Sequence, residues 1–317
     1  MGVTSRSRLL LDRVDSWPNL EKLNFEIDEL TIRVVVGGEE EAEEEEEAEV
    51  SPLNRLLHTA PFLRELTIRH YLPDDLSLPW DQLTCLHLPE NRPFSIQRAL
   101  DLLSRCQSLE KCQLLIADLA TSISFPVVPV TSNYLKVLAL ICDEDFTQFF
   151  DHLILPSLTT ITIRISGESF PRQTPEFGSA LSRTSARIPS LRFNPTFQGM
   201  QQHHMITSLQ SLPFLNTHSL GDNVFLEDST LTQLNPLEME KSRLPCLCPN
   251  LTALHIHGSN YLDLPFCDMI RARWRCGIPG IAQIKEVGVV EHVRSRALHL
   301  LDDCHAEGLI ICGHPWD

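Results

Sequence analysis

An α/β fold of stacked repeats is predicted from three features: a recurring phrase, its spacing, and helical stripes between its copies. The phrase is apolar-Pro-x-Leu-x-x-Leu-x-Leu. Its clearest copies are Trp17-Pro18 with Leu20, Leu23 and Phe25, and Ala60-Pro61 with Leu63, Leu66 and Ile68. Leu155-Pro156 with Leu158, Ile161 and Ile163, and Cys248-Pro249 with Leu251, Leu254 and Ile256, are equally clear. Looser copies start at Leu83, Leu109 and Leu135, worn ones at Leu191 and Leu215, and a last one without proline reads Ile284, Val287, Val289. The starts at Leu83, Leu109, Leu135 and Leu158 lie 26, 26 and 23 residues apart. A leucine pattern recurring at roughly 20–29 residues is the signature of a leucine-rich-repeat solenoid. The predicted class is therefore an α/β leucine-rich-repeat solenoid, with a curved parallel sheet on the concave face and helices on the convex face.

Each part of the phrase has a structural meaning. The Leu-x-Leu end is a strand whose alternate residues share one face, and the leucine three residues earlier turns the chain into it. Between strands, Ile96, Leu100 and Leu103, with Ala99 beside them, form a helical stripe ending in Cys106. Val293, Ala297, Leu300 and Cys304 repeat that spacing near the C-terminus, as an amphipathic helix requires. Further helices are expected over Asp145–Leu153, Pro175–Ala186, His204–Leu212 and Leu264–Trp274. An ordinary α/β domain also alternates strands with helices, but it calls for longer βα units and a Gly-rich phosphate turn. The repeats at Leu191 and Leu215 are the weakest, since Asn194 and Thr196 stand where the rule wants apolar residues.

Composition agrees with one extended repeat domain over residues 1–317, of about nine to ten irregular repeats at that period. With 43% hydrophobic residues the chain can bury a large core, and a solenoid lengthens without splitting. No apolar run is long enough to cross a bilayer, and no apolar signal region follows Met1-Gly2-Val3. The expected location is cytoplasmic or nuclear, with no membrane partner. In such a setting the ten cysteines read as packed thiols, with Cys85, Cys106, Cys112, Cys142 and Cys267 on strand or helix positions. Cys246-Leu247-Cys248 is too tightly spaced for a zinc pair, and Cys304-His305 with Cys312-Gly313-His314 lacks the spacing of known sites. No metal and no cofactor are expected.

The net charge of −16 is concentrated: nine glutamates between Glu39 and Glu49 leave only −7 for the rest. That balance argues against nucleic acid, whose phosphates need a positive face. The acidic tract lies between Gly37-Gly38 and Ser51-Pro52, so residues 37–51 read as a solvated, disordered insertion. Its functional alternative is a docking tail for a basic partner.

Catalytic motifs are missing from the sequence. There is no Gly-x-Ser-x-Gly elbow, no Gly-x-x-x-x-Gly-Lys loop and no His-Glu-x-x-His. A hydrolase built on His255 or His257 has no nucleophile or orienting partner placed by sequence. The residues between the core leucines should face outward on the concave side. They include Glu65, Arg69, Lys111, Gln113, Thr160, Thr162, Arg164, His255 and His257, the candidate protein-binding residues. Val137, Ala139 and Ile141 interrupt that polar pattern as an apolar patch, either covered or used as an anchor.

Several phrases resemble the leucine-rich-repeat region of fungal F-box-like proteins of mushroom-forming species. They are Leu78-Pro79-Trp80-Asp81-Gln82-Leu83-Thr84, Leu102-Leu103-Ser104-Arg105-Cys106 with Leu109-Glu110-Lys111-Cys112, and Leu153 to Leu158. Leu247-Cys248-Pro249-Asn250-Leu251-Thr252 and Asp268-Met269-Ile270 to Trp274 are similar too. The resemblance spans roughly Trp17 to Trp274. It implies a non-enzymatic substrate-recognition part of a Skp1–cullin–F-box ubiquitin ligase, in which an F-box holds Skp1 and the repeats present a target. The segment Met1 to Ser16 reads as the back half of a repeat helix (Leu9, Leu10, Leu11, Val14), not as an F-box. Skp1 is thus an expected partner only if an F-box exists outside this chain. The competing expectation is a stand-alone repeat inhibitor or scaffold with no ubiquitin link. The target protein is not named by the sequence.

Overall fold

The computed structural model describes residues 21–28, 31–35, 60–70, 78–88, 93–117, 128–142, 147–165, 181, 187–195, 202–221, 226–257 and 264–314. The acidic tract 37–51, the segment from Leu9 to Leu20 and nearly all of the helix expected over Pro175–Ala186 lie outside them. The chain forms two compact units, one of residues 1–141 with 152–157, the other of residues 142–151 with 158–317. Both are α/β. Among the described residues no helix is long and apolar enough to cross a membrane.

The recurring phrase is a turn followed by a strand. In four copies, two of them clear and two looser or worn, the N–H of the leading leucine donates to the carbonyl of the apolar residue three positions earlier. Leu63 to Ala60 (3.2 Å), Leu109 to Cys106 (3.3 Å), Leu215 to Leu212 (3.1 Å) and Leu251 to Cys248 (3.1 Å) show it. That is the closing bond of a β-turn, and the proline of the phrase sits at the turn's second position, where its fixed φ is already correct. The leading leucines Leu63, Leu83, Leu109, Leu135, Leu158, Leu215, Leu251 and Ile284 are at most 1% exposed. In the strands Cys85–His87, Lys111–Ile116, Val137–Cys142, Thr160–Ile165 and Ala253–Ile256 the residues after them alternate between buried and at least partly exposed.

In the first unit β1 (Lys22–Asp28), β3 (Glu65–His70), β4 (Cys85–His87) and β5 (Lys111–Ile116) lie in register. β1 pairs parallel with β3, β3 with β4, and β4 with β5. β7 (Val137–Cys142) follows β5 in the strand order, and β2 (Thr31–Val35) closes the other edge, antiparallel to β1. A short second sheet pairs β6 (Val130–Thr131) with β8 (Leu153–Ile154). Helix α1 (Ile96–Arg105) is capped by Ser95, whose hydroxyl accepts the N–H of Arg98 at 3.2 Å. Its buried stripe is Ile96, Ala99, Leu100, Leu102 and Leu103.

The second unit repeats the plan. β9 (Thr160–Ile165), β10 (Ser190–Pro195), β11 (Thr217–Leu220), β12 (Ala253–Ile256), β13 (Glu286–Val290) and β14 (Ile310–His314) pair in that order, all parallel. Its helices are α2 (Thr147–Asp151), α3 (Gln202–Gln210), α4 (Asp228–Leu234), α5 (Pro236–Ser242), α6 (Leu264–Trp274), α7 (Glu291–Leu300) and α8 (Asp302–Ala306). Parallel neighbours need a crossover between them, and from β10 to β14 the helices α3, α4 with α5, α6, and α7 with α8 supply it.

One carbonyl ties each strand to the next. In the first unit Arg64 accepts the N–H groups of Thr84 and Cys85 (2.8 and 3.0 Å), and Thr84 those of Glu110 and Lys111 (2.8 and 3.0 Å). In the second, Asn216 accepts those of Thr252 and Ala253 (2.8 and 2.9 Å). The hydroxyls of Thr84 and Thr252 add a third donor to the same carbonyls, at 3.2 and 3.1 Å. The same device in both units is the structural counterpart of the sequence repeat.

Several expectations need correction. The strand near Leu191 is offset by three residues: Ile188 leads, and Leu191 and Phe193 face the core, each 2% exposed. Pro189-Ser190-Leu191 mimics the Pro-x-Leu phrase, but pairing with β9 and β11 sets the register. Asn194 therefore falls on the open face, not in the core. The helix expected over Asp145–Leu153 ends at Asp151, and Leu153–Ile154 is a strand. The C-terminal stripe is divided into α7 and α8 at Leu301. Cys85, expected to pack, lies on the partly exposed face of β4, whereas Cys106, Cys112, Cys142 and Cys267 are buried. All ten cysteines are free thiols.

Gly221, just past β11, shows how closely neighbouring side chains fit. A Cβ there would stand 2.2 Å from Asn194 Oδ1 and 2.9 Å from Asn194 Cα. Because the backbone of Asn194 is involved, rotating its amide cannot relieve the clash. Gly221→Ala is expected to cost about 1–3 kcal/mol, measured as a lower urea midpoint.

Candidate functional site

The partly exposed face of each sheet carries the residues that the leucine pattern turns away from the core. In the first unit one row runs Lys22, Glu65, Cys85, Lys111 across β1, β3, β4 and β5. The next contains Thr67, His87 and Gln113. Lys22 Nζ lies 2.8 Å from Glu65 Oε2. Hydrogen bonding and Coulomb attraction to Glu65 raise the Lys22 pKa, although a pair this exposed adds little stability. Burial, reinforced by Glu65, pushes the Cys85 thiol up. Arg69 is on β3 opposite Glu26; its side chain is outside the described residues.

In the second unit three rows cross β9, β10 and β11: Thr160–Ser190–Thr217, Thr162–Arg192–Ser219 and Arg164–Asn194–Gly221. The middle row continues through His255 on β12, Gly288 on β13 and Cys312 on β14. Gly288 presents no side chain, so its neighbours on both sides lean toward Glu286, two residues earlier on β13. His255 Nε2 lies 3.2 Å from Glu286 Oε1, and the Cys312 thiol donates to the same oxygen at 3.3 Å. Ser219 Oγ lies 3.4 Å from His255 Nδ1. The Glu286 carboxylate can only accept, so Nε2 carries the proton toward it and Nδ1 is left facing the serine hydroxyl. Burial first, then Glu286, drives the Cys312 thiol up to about 11.

Serine, histidine and glutamate thus stand in line, an arrangement that the sequence reading missed because its members are on three separate strands. It is poorly formed for acyl transfer. Ser219 is 4% exposed, which leaves little of it open to a substrate carbonyl. The 3.4 Å separation is longer than an effective O–H···N bond.

Of the expected binding residues, Glu65, Gln113, Thr160, Thr162 and His255 are partly exposed, and Lys111 and Arg164 are exposed. His257 departs from the pattern: it lies just past β12, its N–H donates to the Leu220 carbonyl at 3.0 Å, and the residue is 8% exposed. Val137, Ala139 and Ile141 are partly exposed. Arg192 and Glu286 are face residues that sequence reasoning did not name. Starting the tenth strand's phrase at Ile188 would have aligned Arg192 with Thr162 and revealed it. Among the described residues no group of three or more His, Cys, Asp and Glu is placed to hold a metal ion. No protein-family model matches the chain, and no curated protein matches it.

Proposed function

We propose that this chain is a non-catalytic protein-binding scaffold of the leucine-rich-repeat solenoid type, with the open sheet face as its binding surface. The observation that carries the reading is the strand ladder. In both units the same turn-and-strand phrase buries its leucines and leaves polar residues in registered rows on the other face. A surface held by a hydrogen-bonded sheet is pre-organised, so little ordering entropy is lost on contact. Curved parallel sheets of repeat proteins bind partners on that face.

We further propose that the scaffold is the substrate-recognition part of an F-box-like adaptor of a Skp1–cullin–F-box ligase. The sequence phrases around Trp80, Arg105 and Pro249 support this step. The location that accompanies it is cytoplasmic or nuclear. The test is affinity capture with mass spectrometry from cells expressing the protein from its own transcript. A variant carrying Lys111→Ala, Gln113→Ala, Thr162→Ala and His255→Ala is compared with one carrying the helix changes Arg105→Ala and Arg296→Ala. The face variant is expected to lose most captured proteins, and the helix variant to retain them. An unchanged set in the face variant would refute the scaffold reading. Skp1 and cullin among the captured proteins support the adaptor; their absence from an otherwise specific set leaves a stand-alone scaffold.

A further inference from the structure

The nine face positions of β9, β10 and β11 form a grid with a single chemical character. They are Thr160, Thr162 and Arg164; Ser190, Arg192 and Asn194; Thr217, Ser219 and Gly221. None is a carboxylate, although the chain carries a net charge of −16. Arg164 and Arg192 are both exposed, and among the described residues neither makes an ion pair or a side-chain hydrogen bond. Several other guanidiniums of the same unit are occupied: Arg271 and Arg275 hold Asp303, Arg275 also holds Glu307, and Arg294 holds Glu291.

Register fixes the spacing of the two open arginines. Arg192 pairs with Thr162 and Arg164 with Asn194, so the arginines are diagonal neighbours on one face, one strand and two residues apart. Strand spacing and rise put their Cα atoms about 8 Å from each other. Alternate side chains of an extended peptide point the same way at a repeat of about 6.6–6.8 Å. Two carboxylates at positions i and i+2 of such a peptide therefore match the two guanidiniums. The partly exposed hydroxyls of Thr160, Thr162, Ser190 and Thr217 and the Asn194 amide, which lies over Gly221, supply neutral donors for its remaining acceptors.

We infer that this grid docks an extended acidic segment of a partner protein, with Asp or Glu at alternate positions engaging Arg164 and Arg192. The inference rests on the scaffold reading above and specifies which partner chemistry that face selects. Guanidinium–carboxylate contacts are planar and directional, so alternation, not total charge, is what the site reads. Exposed charges are screened over about 8 Å at physiological salt, so the interaction should weaken as salt rises.

The experiment uses the full chain and fluorescein-labelled peptides followed by anisotropy. One peptide alternates Glu with Thr, a second carries the same glutamates in one block, and a third replaces Glu by Gln. The alternating peptide is expected to bind best, at least tenfold more tightly than the block or Gln peptides. It should lose at least tenfold in affinity to the Arg164→Gln/Arg192→Gln variant and several-fold in 0.5 M salt, on the order of the screening above. Both arginines are exposed, so thermal unfolding of the variant should match the parent. Equal binding to parent and double variant would overturn the inference, as would absence of binding or no preference for alternation. Displacement by inorganic phosphate at matched anion concentration would also overturn it, because the site would then hold a free anion. If the capture experiment succeeds through His255 while these peptides fail, the scaffold reading stands and only the acidic-peptide inference falls.

Discussion

Arg273→Met is expected to destabilise the second unit by about 2–4 kcal/mol, seen as a lower urea midpoint at unchanged slope. Arg273 is near the end of α6 and is 0% exposed. Its Nε donates to the Leu234 carbonyl at 2.7 Å, and Nη2 to the Leu247 carbonyl at 2.5 Å and the Cys246 sulfur at 3.3 Å. The Leu234 carbonyl is at the C-terminus of α4, where unpaired carbonyls and the helix dipole both favour a cation. The side chain thus joins α4 and α6 to the turn that leads into β12. Burial lowers the guanidinium pKa, and nearby thiols oppose the shift; a guanidinium starts high enough to stay charged.

Two effects compete when methionine replaces it. Removing a buried charge whose Nη1 has no hydrogen-bond partner is favourable. Stranding two buried carbonyls costs roughly 1–3 kcal/mol each, and that loss dominates because the other donor near them, the Cys246 thiol at 3.6 Å from each, is weak and carries one proton. Arg273→Lys should fall between parent and methionine variant, since one ammonium keeps the charge but lacks the fork that reaches both carbonyls. A methionine variant as stable as the parent would contradict the stapling role.

The second large effect depends on pH. His218 occupies the core-facing position of β11, between Leu191 on β10 and Leu254 on β12. It is 2% exposed; Nδ1 lies 3.2 Å from the Leu191 carbonyl, and Nε2 has no hydrogen-bond partner. Burial drives its pKa down to about 4, against a weaker upward pull from the Leu191 carbonyl. The unfolded chain takes up this proton near pH 6.5, but the folded chain resists it down to about pH 4. Stability from this group is therefore complete above about pH 6.5 and falls by about 1.4 kcal/mol per pH unit below it. The total loss by pH 4 is about 3 kcal/mol. His218→Leu, which restores the usual residue of the phrase, should remove this slope and unfold at higher urea, with the difference widening from pH 7 to pH 4.5. Asp303 and Glu307 do not confuse the comparison. Despite the opposing desolvation, Asp303 is lowered by the Cys304 N–H and Arg271, and Glu307 by Arg275 and Trp274. Their contributions are lost only at lower pH, and equally in both proteins. Parallel stability curves for parent and variant would refute the assignment.

How far the site could be read from sequence depended on the distance between its parts. His255 and Thr162 were recognisable as face residues because alternation along one strand is a local property. Their neighbours were not, since Ser219 and Glu286 reach His255, and Cys312 reaches Glu286, only through pairing of strands that are 26 to 36 residues apart along the chain. The two helices α4 and α5 were likewise unannounced. Each has seven residues, too few to establish a 3.6-residue stripe, and Asn235 links them by capping α5 through bonds to the N–H groups of Leu237 and Glu238.

By itself the sequence determined most of the buried leucines and where the chain turns into β3, β9 and β12. Leucine spacing and proline placement act over a few residues, and the hydrophobic effect needs nothing more than their period. Only the tertiary structure decided the strand offset at Ile188, the division into two compact units, and which polar groups meet across the sheet. Those outcomes are set by hydrogen-bond register between distant segments, where a shift of a single residue would send every side chain to the opposite face.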